Sequence, residues 1–528
     1  MHAIIHNNRE DIIGAQTDSY GRKVLLACLS GIMLTSAFPR PGFAFLAWVA
    51  LVPLLKGLEE ENFSRAFGLG LAAGATHYLT LMYWIVVVLG RYGNLNVLAS
   101  LGPLLLLCLY LALFLALFSG FATYLLRSDG VLLGLAGLWV GLEYIRSHVL
   151  TGFPWCLLGY SQYKHLLLIQ IADICGVYGV SFLIVLVNGF FYRLFFSWSG
   201  RRTGHLGREA FLVAAAVGVT LGYGHSCLST AQTRKTPGGT LRAVAVQGNI
   251  DQSIKWDPSY QNQTMASYQR LTRAAFGSKP ELIVWPETAV PFFFQNPNRF
   301  SRDLFRLVDQ SGAGLLFGSP AYQRTGGRTR YYNRAYLITP DDIPLQYYDK
   351  VHLVPFGEYI PLKRWLFFVD RLVPAAGDFE AGDKIVPLRL SDVSIGVLIC
   401  FEAIFPELAR IQTRRGANIL VNLTNDAWFG RTSAPYQHFS MAVFRAVENR
   451  RPMIRAANTG ISAFIGSEGK IVAQSTLFRK ETLSASVEAS NTRLTFYTRY
   501  GDVFVLAALL VPLCILFFSL SRRWGQNR

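Results

Sequence analysis

The sequence predicts a two-part fold: a multi-span α-helical membrane domain of eight transmembrane helices, and an extracytoplasmic α/β domain. Three observations carry that expectation. The 528-residue chain is 52% hydrophobic and 16% charged, whereas soluble domains carry roughly 25% charged residues. Its mean hydropathy is +0.30. Apolar runs of membrane-crossing length fill residues 24–229 and return after residue 500, and the stretch between them differs in character. This composition argues against disordered, fibrous and disulfide-scaffold proteins. Length alone implies about three units of ~150 residues.

Residues 1–23 are expected as a cytoplasmic tail, largely polar and without a cleavable signal pattern, so the first span stays as an anchor. Two short runs follow, Val24–Phe38 and Phe43–Leu55, divided by Pro39-Arg40-Pro41-Gly42. They read as two spans, with one broken span as the alternative. Ala66–Leu89, Val97–Leu126, Val131–Tyr144, Leu166–Phe191 and Phe211–Cys227 complete a seven-helix domain over 24–229. Most approach or exceed the ~20 residues needed to cross ~30 Å of hydrocarbon. The eighth span, Val503–Leu520, lies in 501–528 with a second cytoplasmic tail.

Basic residues set the orientation. The formal charge is +17. With the N-terminus inside, the cytoplasmic gaps hold Arg9, Arg22, Lys23, Lys56, Arg65, Arg127, Arg193, Arg201, Arg202 and Arg208, and the C-terminal tail adds Arg522, Arg523 and Arg528. The opposite gaps hold little beyond Arg40, Arg91, Arg146 and Lys164. That asymmetry follows the positive-inside rule and places residues 230–500 outside the cytoplasm. Because many cations flank spans rather than form one patch, a nucleic-acid partner is excluded.

Residues 230–500 alternate short strands with polar helices, the pattern of an α/β domain. Expected strands are Leu241–Val246, Leu282–Val284, Gly314–Phe317, Ala335–Ile338, Val393–Ile399, Ile419–Leu423, Ile461–Ile465 and Lys470–Ala473. Expected helices are Tyr260–Phe276, Arg299–Gln310, Pro406–Thr413 and Tyr436–Glu448. Of seven cysteines, six lie in or beside apolar runs, so this domain holds only Cys400 and no internal disulfide.

Cys400 ends the apolar strand Val393–Ile399 and precedes Pro406, a good first helical residue. A nucleophilic thiol there needs a base and a cation to favour its thiolate. Glu287 follows the strand and turn Leu282-Ile283-Val284-Trp285-Pro286, whose dry setting raises a carboxylate's pKa. Lys350 lies among aromatic residues in YDKVHLVPFGEY. Each residue alone reads more readily as structural: a buried thiol, a solvated carboxylate, a lysine over a greasy patch.

Together the segments say more. WPET around Glu287, YDKVHLVPFGEY around Lys350 and GVLICFE around Cys400 occur in that order. They resemble the Glu-Lys-Cys triad of the nitrilase, or carbon–nitrogen hydrolase, superfamily. The chain is closer still to its membrane-bound bacterial apolipoprotein N-acyltransferase family, through QGNIDQSIKWDP at Gln247–Pro258, LTNDAWFG at Leu423–Gly430, the run Gln437–Ser462 and the eight-span frame. The resemblance covers essentially the whole chain.

It implies a nitrilase-like αββα sandwich on the periplasmic face of the bacterial cytoplasmic membrane. The implied reaction moves an acyl chain from a glycerophospholipid to the amine of a lipoprotein's diacylglyceryl-cysteine. Glu287 is then the general base, Lys350 the oxyanion stabiliser and Cys400 the nucleophile. Glu358, Glu402 and Trp256 match further positions that the family treats as important. The family often has Tyr directly after the cysteine; this chain has Phe401, whose backbone N–H can still donate to an oxyanion. A thioester forms an amide without ATP, and with no Walker or HExxH motif, neither cofactor nor metal is expected.

Ile360–Val373, with Trp365, Phe367 and Phe368, reads either as a core helix or as a lid in the lipid interface. His438 and Asn425-Asp426 are assigned structural roles. The competing function is a membrane-tethered amidase using the same triad with water as acceptor. A transporter is disfavoured because few ionisable residues lie within the spans, Glu143 and Arg146 being exceptions near a span end.

Overall fold

The computed structural model describes residues 20–93, 95–128, 130–196, 206–233, 239–340, 345–360 and 379–526. Helix α1 covers residues 20–36, and the short α2 is Val52–Gly57. α3 (Phe63–Met82) begins at Asn62, whose side chain accepts from Arg65 N, and α4 (Trp84–Tyr92) follows at once. Next come α5 (Val97–Leu125), α6 (Val131–His148), α7 (Leu166–Ile169), α8 (Ala172–Phe196) and α9 (Leu206–Thr233). By length and composition α5, α8 and α9 can each cross a membrane, and α3 with α4 makes a fourth span if the bent pair counts as one. Leu98, Leu106 and Phe211 are among their strongly exposed apolar residues, which suits a surface solvated by lipid.

Two expected spans are interrupted. Ala66–Leu89 is bent by 47° between α3 and α4. The bend is held from outside, since Tyr83 OH accepts from Ser433 N and Trp84 Nε1 donates to Gln437. Leu166–Phe191 divides into α7 and α8, and α8 itself breaks at Gly176, where φ is 62°. A Cβ there would meet the Tyr497 ring at 2.8 Å, so glycine answers both the backbone and the close approach.

The first sheet runs in the order β12-β1-β2-β3-β4-β5. Its strands are β1 (Thr240–Gln247), β2 (Leu282–Val284), β3 (Gly314–Thr325), β4 (Arg328–Ile338), β5 (Gln346–Asp349) and the late β12 (Glu481–Glu488). Between them lie α10 (Gln261–Ala274) and α11 (Arg299–Ser311), the latter started by an Asn298/Ser301 capping box. The second sheet runs β11-β10-β9-β8-β7-β6. It comprises β6 (Leu388–Leu390), β7 (Val393–Ile399), β8 (Ile419–Thr424), β9 (Met453–Ala457), β10 (Ala463–Ile465) and β11 (Ile471–Gln474). α12 (Pro406–Arg414) and α13 (Ala434–Asn449) belong to this half, and α14 (Phe496–Tyr500) and α15 (Val503–Gln526) close the chain.

Alternation along the strands builds four layers. Ala243, Ala245, Leu282 and Val284 face Ile395, Val397, Ile399 and Val421 across the sheet–sheet core. Val244, Val246 and Ile283 point the other way, onto Met265 and Tyr268 of α10 and Leu304 and Leu307 of α11. On the far side, Leu398 and Leu420 share one core with Leu408 of α12, Phe439 and Val443 of α13, and the membrane helices. α13 is therefore the floor between sandwich and membrane domain. The strands β1, β2, β3 and β7, β8, β9 are parallel within each set, so the carboxyl ends of the central strands gather at one edge, where α/β sheets place their sites.

Candidate active site

Glu287 lies three residues past β2, Lys350 directly after β5, and Cys400 directly after β7. The WPET turn that carries Glu287 is pinned to β3, because Trp285 N donates to Leu316 O at 2.8 Å and Gly318 N to Pro286 O at 3.1 Å. A Cβ at Gly318 would meet Thr288 N at 2.3 Å, so only glycine lets the turn lie this close. Cys400 adopts a left-handed backbone, with φ of 52°, which few non-glycine residues take without support.

Lys350 Nζ is 2.9 Å from Glu358 and 3.6 Å from Glu287 Oε1. Asn333 of β4 donates Nδ2 to Glu287 Oε1 and to Glu358 Oε1, both at 2.8 Å. Glu358 Oε2 also accepts from Val354 N at 2.8 Å. Lys350, Glu287 and Glu358 are all buried. Burial alone would lower the Lys350 pKa, but Glu358, Glu287 and Cys400 together raise it, so it stays charged. Burial and the Glu287 charge push the Cys400 thiol up to about 12, against the opposing pull of Lys350. The resting thiol is thus protonated, with a carboxylate and an ammonium in electrostatic reach.

Glu402 fastens this assembly. Oε2 accepts from Ile399 N at 2.6 Å, while Oε1 accepts from Val351 N at 2.7 Å, His352 N at 3.2 Å and Tyr348 OH at 3.0 Å. One buried carboxylate therefore ties the strand that ends at Cys400 to the loop that carries Lys350. Phe401 is buried with its ring 5.2 Å from Phe405, 6.0 Å from His352 and 6.5 Å from Phe153 of the membrane domain. Trp256 remains 47% exposed, so it is its neighbour Lys255 that reaches inward.

Lys255 Nζ donates to Glu287 O at 3.1 Å and to Thr288 Oγ1. Burial lowers its pKa to about 8, against Glu287 and Cys400, which raise it. Behind Cys400, His438 Nε2 lies 3.2 Å from Cys400 O, with Asp426 and Arg455 beyond it. Sequence reasoning passed over Lys255 and Asn333 and took His438 and Asp426 as structural. Only the QGNIDQSIKWDP segment, which contains Lys255, carried a signal. Of the expected lid, Ile360 is buried, and 361–373, with Trp365, Phe367 and Phe368, lie outside the described residues.

Such a site can deprotonate a thiol, hold an oxyanion and carry a thioester. It adjoins the membrane domain, since Trp155 stacks on His438 with ring centres 5.8 Å apart and Trp84 and Trp155 both donate to Gln437.

Comparison with known proteins agrees with both halves of the chain. Residues 30–190 match the family model of the apolipoprotein N-acyltransferase N-terminal domain, and residues 242–497 that of carbon-nitrogen hydrolase. An apolipoprotein N-acyltransferase of Geobacter metallireducens is 45% identical over 92% of this chain and 93% of its own length. One of Methylococcus capsulatus is 36% identical over 95% of this chain and 97% of its own. Among solved structures, a carbon-nitrogen hydrolase from Helicobacter pylori is 18% identical with a TM-score of 0.37, covering 50% of this chain and 95% of that one. With these relatives matched over nearly its whole length, the chain belongs to the apolipoprotein N-acyltransferase family.

Proposed function

We propose that the enzyme transfers an acyl chain from a glycerophospholipid, through a thioester on Cys400, to the amine of a diacylated lipoprotein. Glu287 takes the thiol proton and the thiolate attacks the ester carbonyl. Lys350 and the Phe401 N–H stabilise the oxyanion, and lysophospholipid leaves with the proton returned by Glu287. The lipoprotein amine then attacks the thioester, Glu287 accepts its proton, and the amide product departs as the thiol reforms. Glu358 keeps Lys350 charged and placed, and Glu402 positions the turn.

What supports this reading most is the placement of Cys400 between two surroundings. On one side stand the buried Glu287, Lys350 and Glu358; on the other stand Phe401 and the membrane-domain aromatics Phe153 and Trp155. A thioester formed there is dry and next to lipid. The same reading divides the chain into a cytoplasmic tail (1–23), seven spans (24–229), a periplasmic domain (230–500) and an eighth span with a cytoplasmic tail (501–528), in the cytoplasmic membrane.

The deciding experiment incubates the purified protein with phospholipid vesicles and a diacylated lipopeptide. Triacylated lipopeptide is expected. Fatty-acid release with no acylated peptide would make water the acceptor and replace this reading by a membrane-tethered hydrolase with the same triad.

A further inference from the structure

The loop between β1 and α10 touches both halves of the sandwich. Toward the second sheet, Gln252 Oε1 accepts from Asn425 Nδ2 at 2.6 Å, and Asn458 Nδ2 donates to Asn425 Oδ1 at 3.0 Å and to Ile250 O at 2.8 Å. Ile250 N in turn donates to Asn458 Oδ1 at 2.9 Å. Toward the first sheet, the loop's link is Lys255, which is only 2% exposed. Its ammonium holds the Glu287 carbonyl at 3.1 Å and the Thr288 hydroxyl, at a residue whose own φ of 47° is strained. Cys400 belongs to the second sheet and Glu287 to the first, so this loop spans the gap that the proton must cross.

We propose that Lys255 is a positioning residue of the reaction: its buried ammonium clamps the main chain of Glu287 to the loop that grips the second sheet, and its charge favours the Cys400 thiolate. The inference rests on Glu287 being the base for Cys400. The charges facing Lys255 are those of Glu287 and Cys400, with Lys350 and Glu358 beyond Glu287. With both lysines charged, two cations balance two carboxylates, and the thiol proton can move to Glu287 without leaving the cluster net negative. A neutral residue at 255 removes that balance and frees the turn.

The test is the alkylation rate of Cys400 by iodoacetamide in the full-length protein in detergent. It is followed on the tryptic peptide by mass spectrometry from about pH 6 to about pH 10, where thiolate alone reacts. Lys255→Met is expected to slow alkylation about tenfold, the equivalent of one pH unit in the thiol. In the wild type the rise of rate with pH flattens above about 8, where Lys255 loses its charge; in Lys255→Met that bend disappears, which a merely structural role does not produce. Thr288→Val removes one of the ammonium's two anchors and is expected to slow alkylation about threefold, even if Lys255→Met does not fold. Unchanged rates and an unchanged bend in either variant overturn the proposal. Glu287→Gln separates the two levels. If it leaves acylation of Cys400 by phospholipid unchanged, the reading of Glu287 as base fails; if it abolishes that acylation while Lys255→Met leaves alkylation and its bend unchanged, only the role of Lys255 fails.

Discussion

His438 Nε2 lies 3.2 Å from the carbonyl oxygen of Cys400, the residue whose left-handed backbone presents the thiol. Burial and the Arg455 guanidinium lower the His438 pKa, against Asp426, which raises it. The ring stands with Nε2 at the Cys400 carbonyl and Nδ1 3.0 Å from Asp426 Oδ1, and Arg455 Nη2 lies 3.1 Å from the same Nδ1. A strained conformation of this kind costs about 1–3 kcal/mol and persists only where its surroundings hold it. His438→Ala should lower the acylation rate of Cys400 about tenfold and destabilise the fold by about 1–3 kcal/mol, because buried polar atoms lose their partner. His438→Gln, which can still donate to the carbonyl, should recover part of both. Stopped-time acylation and thermal melting of the two variants check this; a wild-type rate in His438→Ala rules it out.

Glu402 gives a pH signature. Burial raises its pKa to about 7, against the backbone N–H groups of Ile399, Val351 and His352 and the charge of Lys350, which lower it. A carboxyl whose folded pKa exceeds its unfolded value of about 4.3 binds more protons when folded. Its stabilisation is complete below the unfolded value and is lost as pH rises through about 7. Glu448, also raised to about 7 by burial against Arg445, adds in the same direction. Melting temperature should therefore decline between about pH 4.5 and pH 7, and Glu402→Gln, while less stable, should show a flatter decline. Parallel melting curves of wild type and variant across that window would contradict this account.

The central strands were legible because strands buried on both faces need unbroken apolar runs. Leu282–Val284 and Val393–Ile399 emerge at the expected residues. β9 was not legible, since Arg455 stands at its centre and is satisfied by Asn422 and Asp426, both remote in sequence, and by the nearby Ile461 carbonyl. β12 was missed although Leu483, Ala485 and Val487 alternate with Thr482, Ser484 and Ser486. The break at Tyr83 contains neither proline nor glycine, and its cause is a contact some 350 residues away. At the site, residues standing just beyond a strand could be singled out. Trp256 was singled out through the family resemblance, while Lys255 beside it was passed over. Its burial depends on a turn at Glu287 that local sequence does not reveal.

Gln437 is one of several polar links between the two halves, beside Arg445 with Tyr160, Glu448 with Val177 N and Arg450 with Asp173. Gln437 Oε1 accepts from Trp155 Nε1 at 2.8 Å and Trp84 Nε1 at 3.2 Å, while its Nε2 donates to Ser433 Oγ at 3.1 Å and Leu81 O at 3.3 Å. Gln437→Leu keeps the size but leaves two buried indole N–H groups unpaired, at about 1–3 kcal/mol each. The variant should melt at lower temperature, and limited proteolysis should cut between the spans and the sandwich sooner. Gln437→Glu keeps acceptors for the indoles but loses the donor to Leu81 O and buries a charge, so it should melt lower as well. Equal stability of Gln437→Leu and wild type would show that the junction does not depend on this amide.

The covalent intermediate gives the sharpest test of the assigned roles. Phospholipid alone should leave one acyl chain on Cys400 in a linkage that neutral hydroxylamine removes, since thioesters yield where amides and most oxygen esters do not. Cys400→Ala should abolish the adduct. Glu287→Gln should prevent its accumulation, because burial still disfavours the thiolate and no base is left to take the thiol proton. Lys350→Met should act twice. Losing an oxyanion donor costs about 10²–10³ in rate, and stranding the buried Glu358 and Glu287 without their cation costs about 3–5 kcal/mol of stability. Its effect on rate must therefore be read below its own melting transition. Mass spectrometry of the peptide carrying Cys400, before and after hydroxylamine, reads every arm. An acyl chain on another residue, or undiminished labelling in Glu287→Gln, would remove Cys400 or Glu287 from the roles assigned here while leaving the chain in its family.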